Sequence, residues 1–337
     1  MHSNRIHSTP ALNEIMNKLV STIIPVFNRP VLLPEAVQSV LEQTHRPIEV
    51  LIIDDGSTDD TPAIARKLCR QYPEIIQVIH QKNGVPGRAR EAGRLRARGE
   101  FIQYLDSDDL LLPHKFEIQV NSLNTHPECG ISYGKTRHYK RGLQPVNTPW
   151  KLTGEKMDYL FPKFLNESGW ATQTPLFRKR VTDQAGPWSA LWQHEDWEYD
   201  CRFASRGVRL CYCDQFLSDT RMHDETSGSD LWLRDIKAFQ DRARAYTMIF
   251  HHARQAGIDH RVPEMQKFAR QLFFLSRQCG AAGLENASEE LFVLARKASG
   301  TIRGNGLDFR IYQIMANILG WCLMGRLSCR LYAFNKQ

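Results

Sequence analysis

Asp106, Asp108 and Asp109 follow directly on the apolar run Phe101-Ile102-Gln103-Tyr104-Leu105, so three carboxylates crowd into four residues at the end of a strand-like segment. Carboxylates this close repel one another. A hard divalent cation, its octahedron completed by phosphate oxygens, is the commonest way to hold such a set. A solvated turn capping the next helix is the plainer reading, and these residues alone leave both open.

The elements around the cluster favour a ligand site. Residues 21–26 form a short apolar segment that gives way to Phe27-Asn28-Arg29-Pro30. Residues 48–53 form a second, ending in Asp54-Asp55-Gly56-Ser57-Thr58-Asp59 ahead of a helix that starts near Pro62. A third, 75–80, precedes Asn83-Gly84-Val85-Pro86-Gly87 and an arginine-rich helix. Strand alternating with helix predicts βαβ units. In such sheets ligands sit beyond the carboxyl ends of the strands, where every one of these polar clusters falls. Arg90, Arg94 and Arg98 recur every fourth residue, and only Arg90 is near a strand end. It is the expected ribose or phosphate contact; Arg94, Arg96 and Arg98 are read as a solvated face. A polar loop over 220–228, after a strand over 209–216, offers His223 as a further metal ligand and Arg221 as a phosphate contact.

The segments TIIPVFNRP, IIDDGSTDDT, NGVPGRARE, YLDSDD and HEDWEYDCRFASRG occur in that order over roughly residues 17–225. Together they resemble the family 2 glycosyltransferases, inverting enzymes of the GT-A fold. The resemblance implies an α/β domain with a Rossmann-like nucleotide-binding mixed sheet flanked by helices, here with a helical C-terminal extension. It implies a nucleotide-sugar donor, most simply a UDP-sugar, with Mn2+ or Mg2+ as cofactor. A surface saccharide or a lipid-linked saccharide would be the acceptor. It places Pro25, Phe27, Asn28 and Arg29 along the nucleotide and Asp55 as acceptor for the uracil imide N–H, a donor that suits a carboxylate. Asp54 is read as a structural cap. Asp106 and Asp108 divide ribose and metal contacts, Asp109 is the direct metal ligand, and His223 completes the set. Asp196 matches the catalytic base, with Glu195 its nearest competitor and a helix cap as the alternative role. Trp170 stands among several tryptophans that could face a sugar, although core packing suits most of them. One departure is Glu91, where the family usually carries Asn.

Composition agrees with a globular enzyme. The chain has 337 residues, 42% of them hydrophobic, and a formal charge of +7 from 44 basic and 37 acidic side chains. That excess favours anionic ligands and membrane surfaces; no nucleic-acid module is recognisable. The start of the chain lacks an apolar signal core, and the eight cysteines lack a zinc spacing, so a cytoplasmic protein with reduced thiols is expected, at the inner face of a membrane. The expected division is a flexible segment 1–16, a GT-A domain 17–228 and a helical region 229–337. Within the last, residues 314–324 are strongly apolar but too short to span a bilayer. Trp321, Tyr332, Arg326 and Arg330 suit peripheral membrane contact through a helix lying in the interface, while packing on the catalytic domain or on a second subunit is the favoured alternative. Two catalytic rivals fare worse. An aspartyl phosphohydrolase needs a second carboxylate where Gly56 stands, and a nicotinamide enzyme needs a G-x-G-x-x-G that is missing after the first strand. A non-catalytic glycan- or membrane-binding scaffold that keeps the fold is the third alternative.

Overall fold

The computed structural model describes residues 18–140, 142–222 and 235–334; the segment 1–16 and the candidate ligand His223 lie outside the described residues. Four strands, β1 (Val20–Val26), β2 (Ile48–Asp54), β3 (Ile76–His80) and β4 (Phe101–Tyr104), form a parallel block in the order β3-β2-β1-β4. The block continues through β7 (Leu176–Arg178), β6 (Cys129–Lys140), β8 (Arg209–Met222) and β5 (Leu110–Leu111) into one eight-stranded mixed sheet. β7 runs antiparallel to both β4 and β6, β8 is parallel to β6, and β5 is antiparallel to β8.

β1 and β2 are near-continuous apolar runs because the sheet is covered on both faces. Val20, Ile24, Val50, Ile52 and Phe101 are almost wholly buried. They share a core with Leu33 and Val37 of α1 (Leu32–Leu41) and Phe116 and Val120 of α4 (Lys115–Thr125). Pro25 sits inside β1 without breaking it. Leu105 donates to the Ile23 carbonyl, so Ile23 and Pro25 face the β4 side, and pairing with β4 ends at Ile23 opposite Tyr104. The missing N–H of Pro25 therefore costs no rung. The first crossover is α1, the second and third are α2 (Thr61–Gln71) and α3 (Pro86–Arg94), and α5 (Lys179–Ala185) follows β7.

β8 runs six residues further than the apolar pattern suggests, to Met222, because its polar residues are satisfied across the ladder. Asp219 takes two bonds from Arg137 of β6, at 2.7 and 2.8 Å, and Thr220 accepts from Gln173 at 2.6 Å. Arg221 is thus a strand residue and not part of a loop.

Lys115, at the start of α4, is fully buried and donates to Gln119 and to the Thr174 carbonyl, with no carboxylate partner among the described residues. Burial pulls its ammonium down to about 7. The unfolded lysine holds its proton to its ordinary value near ~10.4, so between about 7 and ~10 the unfolded state binds more protons and stability rises with pH. Lys115→Met should flatten that rise in denaturation midpoints measured from pH 7 to about 9. An identical slope in both proteins would mean that the amine is not buried as described.

Two compact units emerge, and they do not follow a single cut in the chain. The first takes the described residues up to Asp158 together with Trp170–Trp188 and Val208–Met222, and so contains the whole sheet. The second takes Tyr159–Gly169, Ser189–Gly207 and the described residues after 222. It contains α6 (Glu195–Ser205), α7 (Ile236–Gln255), α8 (Pro263–Ala281), α9 (Glu285–Arg303), α10 (Leu307–Leu319) and α11 (Trp321–Phe334). An aromatic cluster forms its C-terminal core: Phe273 stacks on Phe309 at 4.7 Å, and Phe292 meets Trp321 at 5.2 Å. A Cβ at Gly325 would stand 2.6 Å from the Ala281 nitrogen, so only glycine allows α11 to lie this close to α8. The apolar segment 314–324 is two helices, not one, because Gly320 takes φ 83° between α10 and α11. No helix among the described residues is long and apolar enough to cross a membrane.

Candidate active site

At the end of β1, Asn28 adopts φ 50°, and its side chain and backbone are clamped by the β2 loop. The Asn28 amide donates to Ser57 Oγ at 3.0 Å, and its Oδ1 accepts from the Thr58 N–H at 2.9 Å. The Arg29 N–H donates to Thr61 Oγ1 at 2.9 Å. These bonds fix Pro25, Phe27, Asn28 and Arg29 as one rim, on which Phe27 is 45% exposed and free to meet a ligand face. Gly56 makes the approach feasible: its φ is 77°, and a Cβ there would meet the Asn83 nitrogen at 2.6 Å.

Asp54 and Asp55 separate by role. Asp54 accepts from the Ser57 N–H at 3.1 Å and pairs with His80 at 2.9 Å, a structural assignment that matches the sequence reading. Asp55 holds the loop after β3: its carboxylate accepts from Gln81 Nε2 at 2.7 Å and from the Gly84 N–H at 3.1 Å to each oxygen. A carboxylate has about four acceptor sites, so these contacts leave room for one further donor. Gln81 carries no sequence signal for this task.

β4 ends in a turn, closed by the Asp109 N–H donating to the Asp106 carbonyl at 3.0 Å. Asp106 accepts from Arg90 at 2.8 Å, and Arg90, only 4% exposed, stacks its guanidinium 4.9 Å from the ring centre of Trp188. Asp108 stands 3.8 Å from the Arg29 guanidinium, which brings the ends of β1 and β4 together. Asp109 points inward: it is buried and accepts from the Arg221 N–H at 2.8 Å. Burial, then the carboxylates of Asp108 and Asp106, push the Asp109 carboxyl well above its ordinary value, against the Arg221 hydrogen bond. Among the described residues no group of three or more His, Cys, Asp or Glu side chains converges as a metal site.

Arg94 corrects the sequence reading. It is buried, not solvated, because Glu91 takes two of its bonds at 2.7 and 2.8 Å and Asp183 a third at 2.7 Å. Glu91, the departure from the family pattern, also accepts from the Trp188 N–H at 3.4 Å, so it helps hold the tryptophan on which Arg90 rests. Arg98 is 60% exposed and pairs with Glu49 at 2.8 Å. Arg221 is spoken for as well, bound to Glu35 at 2.6 Å and to the Tyr139 hydroxyl. Trp170 is 2% exposed and packs 5.5 Å from Tyr133, a core position.

In the second unit, α6 begins after His194 in the left-handed region at φ 63°. Asp196 lies in its first turn, half-buried, with Oδ1 accepting from the Trp197 N–H at 2.8 Å. Glu195 is buried at 7% exposure, which leaves Asp196 the more accessible of the two. Trp197 donates to the Phe164 carbonyl at 2.6 Å, and Glu198, wholly buried, binds Arg202 and His252. These contacts anchor the helix that presents Asp196.

A parallel block whose strand ends gather acids and arginines, carried into a mixed sheet, is the arrangement of a GT-A fold. Residues 21–184 match the Glycosyl transferase family 2 model, and the chain carries a domain of that family. An uncharacterized glycosyltransferase of Rickettsia felis is 45% identical over 143 residues, 42% of this chain and 23% of that protein. One of Rickettsia typhi is 41% identical over 218 residues, 61% of this chain and 64% of that protein. In both cases the match spans less than two-thirds of the relative's own length. Among solved structures, TarS 1-349 of S. aureus in complex with UDP-GlcNAc superposes with a TM-score of 0.62 at 17% identity, covering 89% of this chain and 92% of that one. The mannosyltransferase PcManGT of Pyrobaculum calidifontis, in complex with GDP-Man and Mn2+, gives 0.51 at 17% identity over 91% and 86%. At these identities the likeness is one of fold.

Proposed function

We propose that this chain is a metal-dependent inverting glycosyltransferase that moves a sugar from a UDP-sugar to an acceptor hydroxyl of a saccharide or lipid-linked saccharide. The observation that carries the reading is the convergence of Asp55, the Arg29–Asp108 pair and the Arg90–Asp106 pair at the ends of β1, β2 and β4. TarS, which binds UDP-GlcNAc, supports the donor class, and PcManGT, which binds GDP-Man with Mn2+, supports the metal.

Pro25, Phe27 and Asn28 line the base and ribose, Asp55 offers its remaining acceptor site to the imide N–H, and Asp106 takes the ribose with Arg90 beside it. The acids fit a hard cation by chemistry: Asp108 is partly exposed, and burial first, then the carboxylates of Asp108 and Asp106, raise the Asp109 carboxyl, a cluster of negative charge that a cation would offset. Asp108 and Asp109 would hold Mn2+ or Mg2+, with His223 as the further ligand. When bound, the ion neutralises charge gathering on the departing diphosphate. Asp196 takes the proton of the attacking hydroxyl, and one such base suffices for a single displacement.

Asp55→Ala should weaken UDP binding by about 1.5–3 kcal/mol, the range for a hydrogen bond to a charged group. Gln81→Ala, which disturbs only the loop contact, should cost less in the same calorimetric titration. Equal losses would return Asp55 to a purely structural role.

Peripheral membrane contact belongs to the same reading. Leu307, Ile311, Ile314 and Ile318 of α10 are all more than half exposed, at a spacing that makes one apolar stripe. Leu323, Leu327 and Leu331 repeat every fourth residue on α11 and are also exposed. Exposed Arg310, Arg326 and Arg330 accompany them, a complement to anionic lipid. The opposite face is the packed one, with Phe309, Tyr312 and Ala316 buried.

A further inference from the structure

The first turn of α10 also closes a cavity of about 530 Å3 within the C-terminal helices, far from any residue assigned above in sequence and built from different chemistry. Four cations line it: Lys267, Arg270 and Arg277 from α8 and Arg303 from the end of α9. One carboxylate, Asp308, lines it with them. Phe273, Phe274 and Phe309 supply an apolar wall.

Lys267, Arg270 and Arg303 are exposed and Arg277 is half-buried, and all four differ in their pairing from the buried Arg178 and Arg202 and the half-buried Arg137. Arg178, Arg137 and Arg202 each have a carboxylate at 2.5–2.7 Å, whereas none of these four has an ion-pair partner among the described residues. Arg277 is the clearest case. Its guanidinium lies 4.0 Å from the Phe273 ring centre and 5.9 Å from that of Tyr312. Its Nε is buried without a hydrogen-bond partner. Such a cation is partly drawn out of water and oriented by rings, which offset only part of its lost hydration. An anion entering the cavity restores the rest. Guanidinium forks match phosphate oxygens, and the volume lies within the ~300–1,000 Å3 usual for small-ligand sites.

We propose that this cavity binds the phosphate group of an amphiphile, with arginines on the phosphate and phenylalanines on the first carbons of an apolar chain. The source is a membrane lipid headgroup. Leu307 and Ile311, which flank the cavity-lining Asp308 and Phe309, begin the exposed apolar stripe, so a lipid bound here continues onto that stripe. The assignment rests on the membrane-contact reading and adds to it a defined headgroup site.

Sedimentation of the full chain with vesicles of phosphatidylcholine, with and without phosphatidylglycerol, tests it. Each cation near an anionic surface contributes about fivefold in binding, so Lys267→Gln with Arg270→Gln should lower affinity for the anionic vesicles about 25-fold. Both side chains are exposed, and the melting temperature should not move. Ile314→Asn with Ile318→Asn should instead weaken binding to both kinds of vesicle. If that pair has no effect while the cation pair does, the membrane-contact reading is wrong and the lipid source falls with it. If the cation pair binds anionic vesicles as the wild type does, or Arg70→Gln on α2 loses as much, the cavity is not the headgroup site. Stabilisation by glycerol phosphate without any vesicle preference would assign the cavity to a soluble phosphate and overturn the lipid source.

Discussion

Asp196→Asn should cut transfer by at least ~10²-fold while leaving UDP binding and the melting temperature nearly unchanged. The amide keeps an oxygen for the Trp197 N–H, so the first turn of α6 loses none of the 2.8 Å contact seen for the carboxylate. What it loses is the ability to accept a proton from a hydroxyl as the anomeric carbon develops positive charge. Glu195→Gln should be milder in activity, because that side chain is buried. Steady-state rates beside melting curves separate the two roles. An Asp196→Asn protein with near wild-type turnover, or one whose activity falls only in step with stability, would place the base elsewhere.

Glu198→Ala should destabilise the protein by about 3–5 kcal/mol, since it leaves the buried Arg202 and the half-buried His252 without their shared anion. Burial alone would raise the Glu198 carboxyl. Hydrogen bonds from His252 and Arg202 outweigh it, and the carboxyl sits below its ordinary value. The sign follows: the unfolded state binds the proton first, so this contribution is fully present above the ordinary carboxylate range and is lost as pH falls through the lowered folded value. Urea unfolding stabilities of wild type and Glu198→Ala should therefore differ at neutral pH and converge as pH falls into the acid range. A cost under about 1 kcal/mol at neutral pH, the scale of an exposed pair, would show that the cluster does not hold α6 in place.

The parts of the fold that were legible in the sequence are those where burial leaves few choices. Parallel strands covered on both faces are near-continuous apolar runs, and β1, β2 and β4 each announce themselves as such runs ending in acids or a turn. Structure hidden from local pattern depends on distant partners. Arg94 looks like one of a solvated row, yet Asp183, 89 positions away, meets it with Glu91 and buries it. The end of β8 reads as a polar loop until Arg137 and Gln173 reach Asp219 and Thr220. Asp109 stands in the acidic cluster by sequence, but its carboxylate turns to the Arg221 N–H, a strand contact 112 positions distant. Trp188 was visible only as an aromatic after Gly186-Pro187; its pairing with Arg90 required the fold. At the C-terminus the apolar pattern was real, but the positive φ of Gly320 splits it, and only Ala316 and Trp321 pack inward while Ile314, Ile318 and Leu323 are exposed.

The central claim is that the ends of β1, β2 and β4 bind a nucleoside diphosphate. A thermal-shift panel of UDP, GDP, CDP and dTDP, each with and without Mn2+, tests it most directly, because a ligand that binds only the native state at a hundredfold over its Kd adds about 2.7 kcal/mol. UDP is predicted to raise the melting temperature above the other three, with a larger rise when Mn2+ is present and a smaller one in Asp55→Ala. No shift with any of the four nucleotides, with or without the metal, would contradict the account.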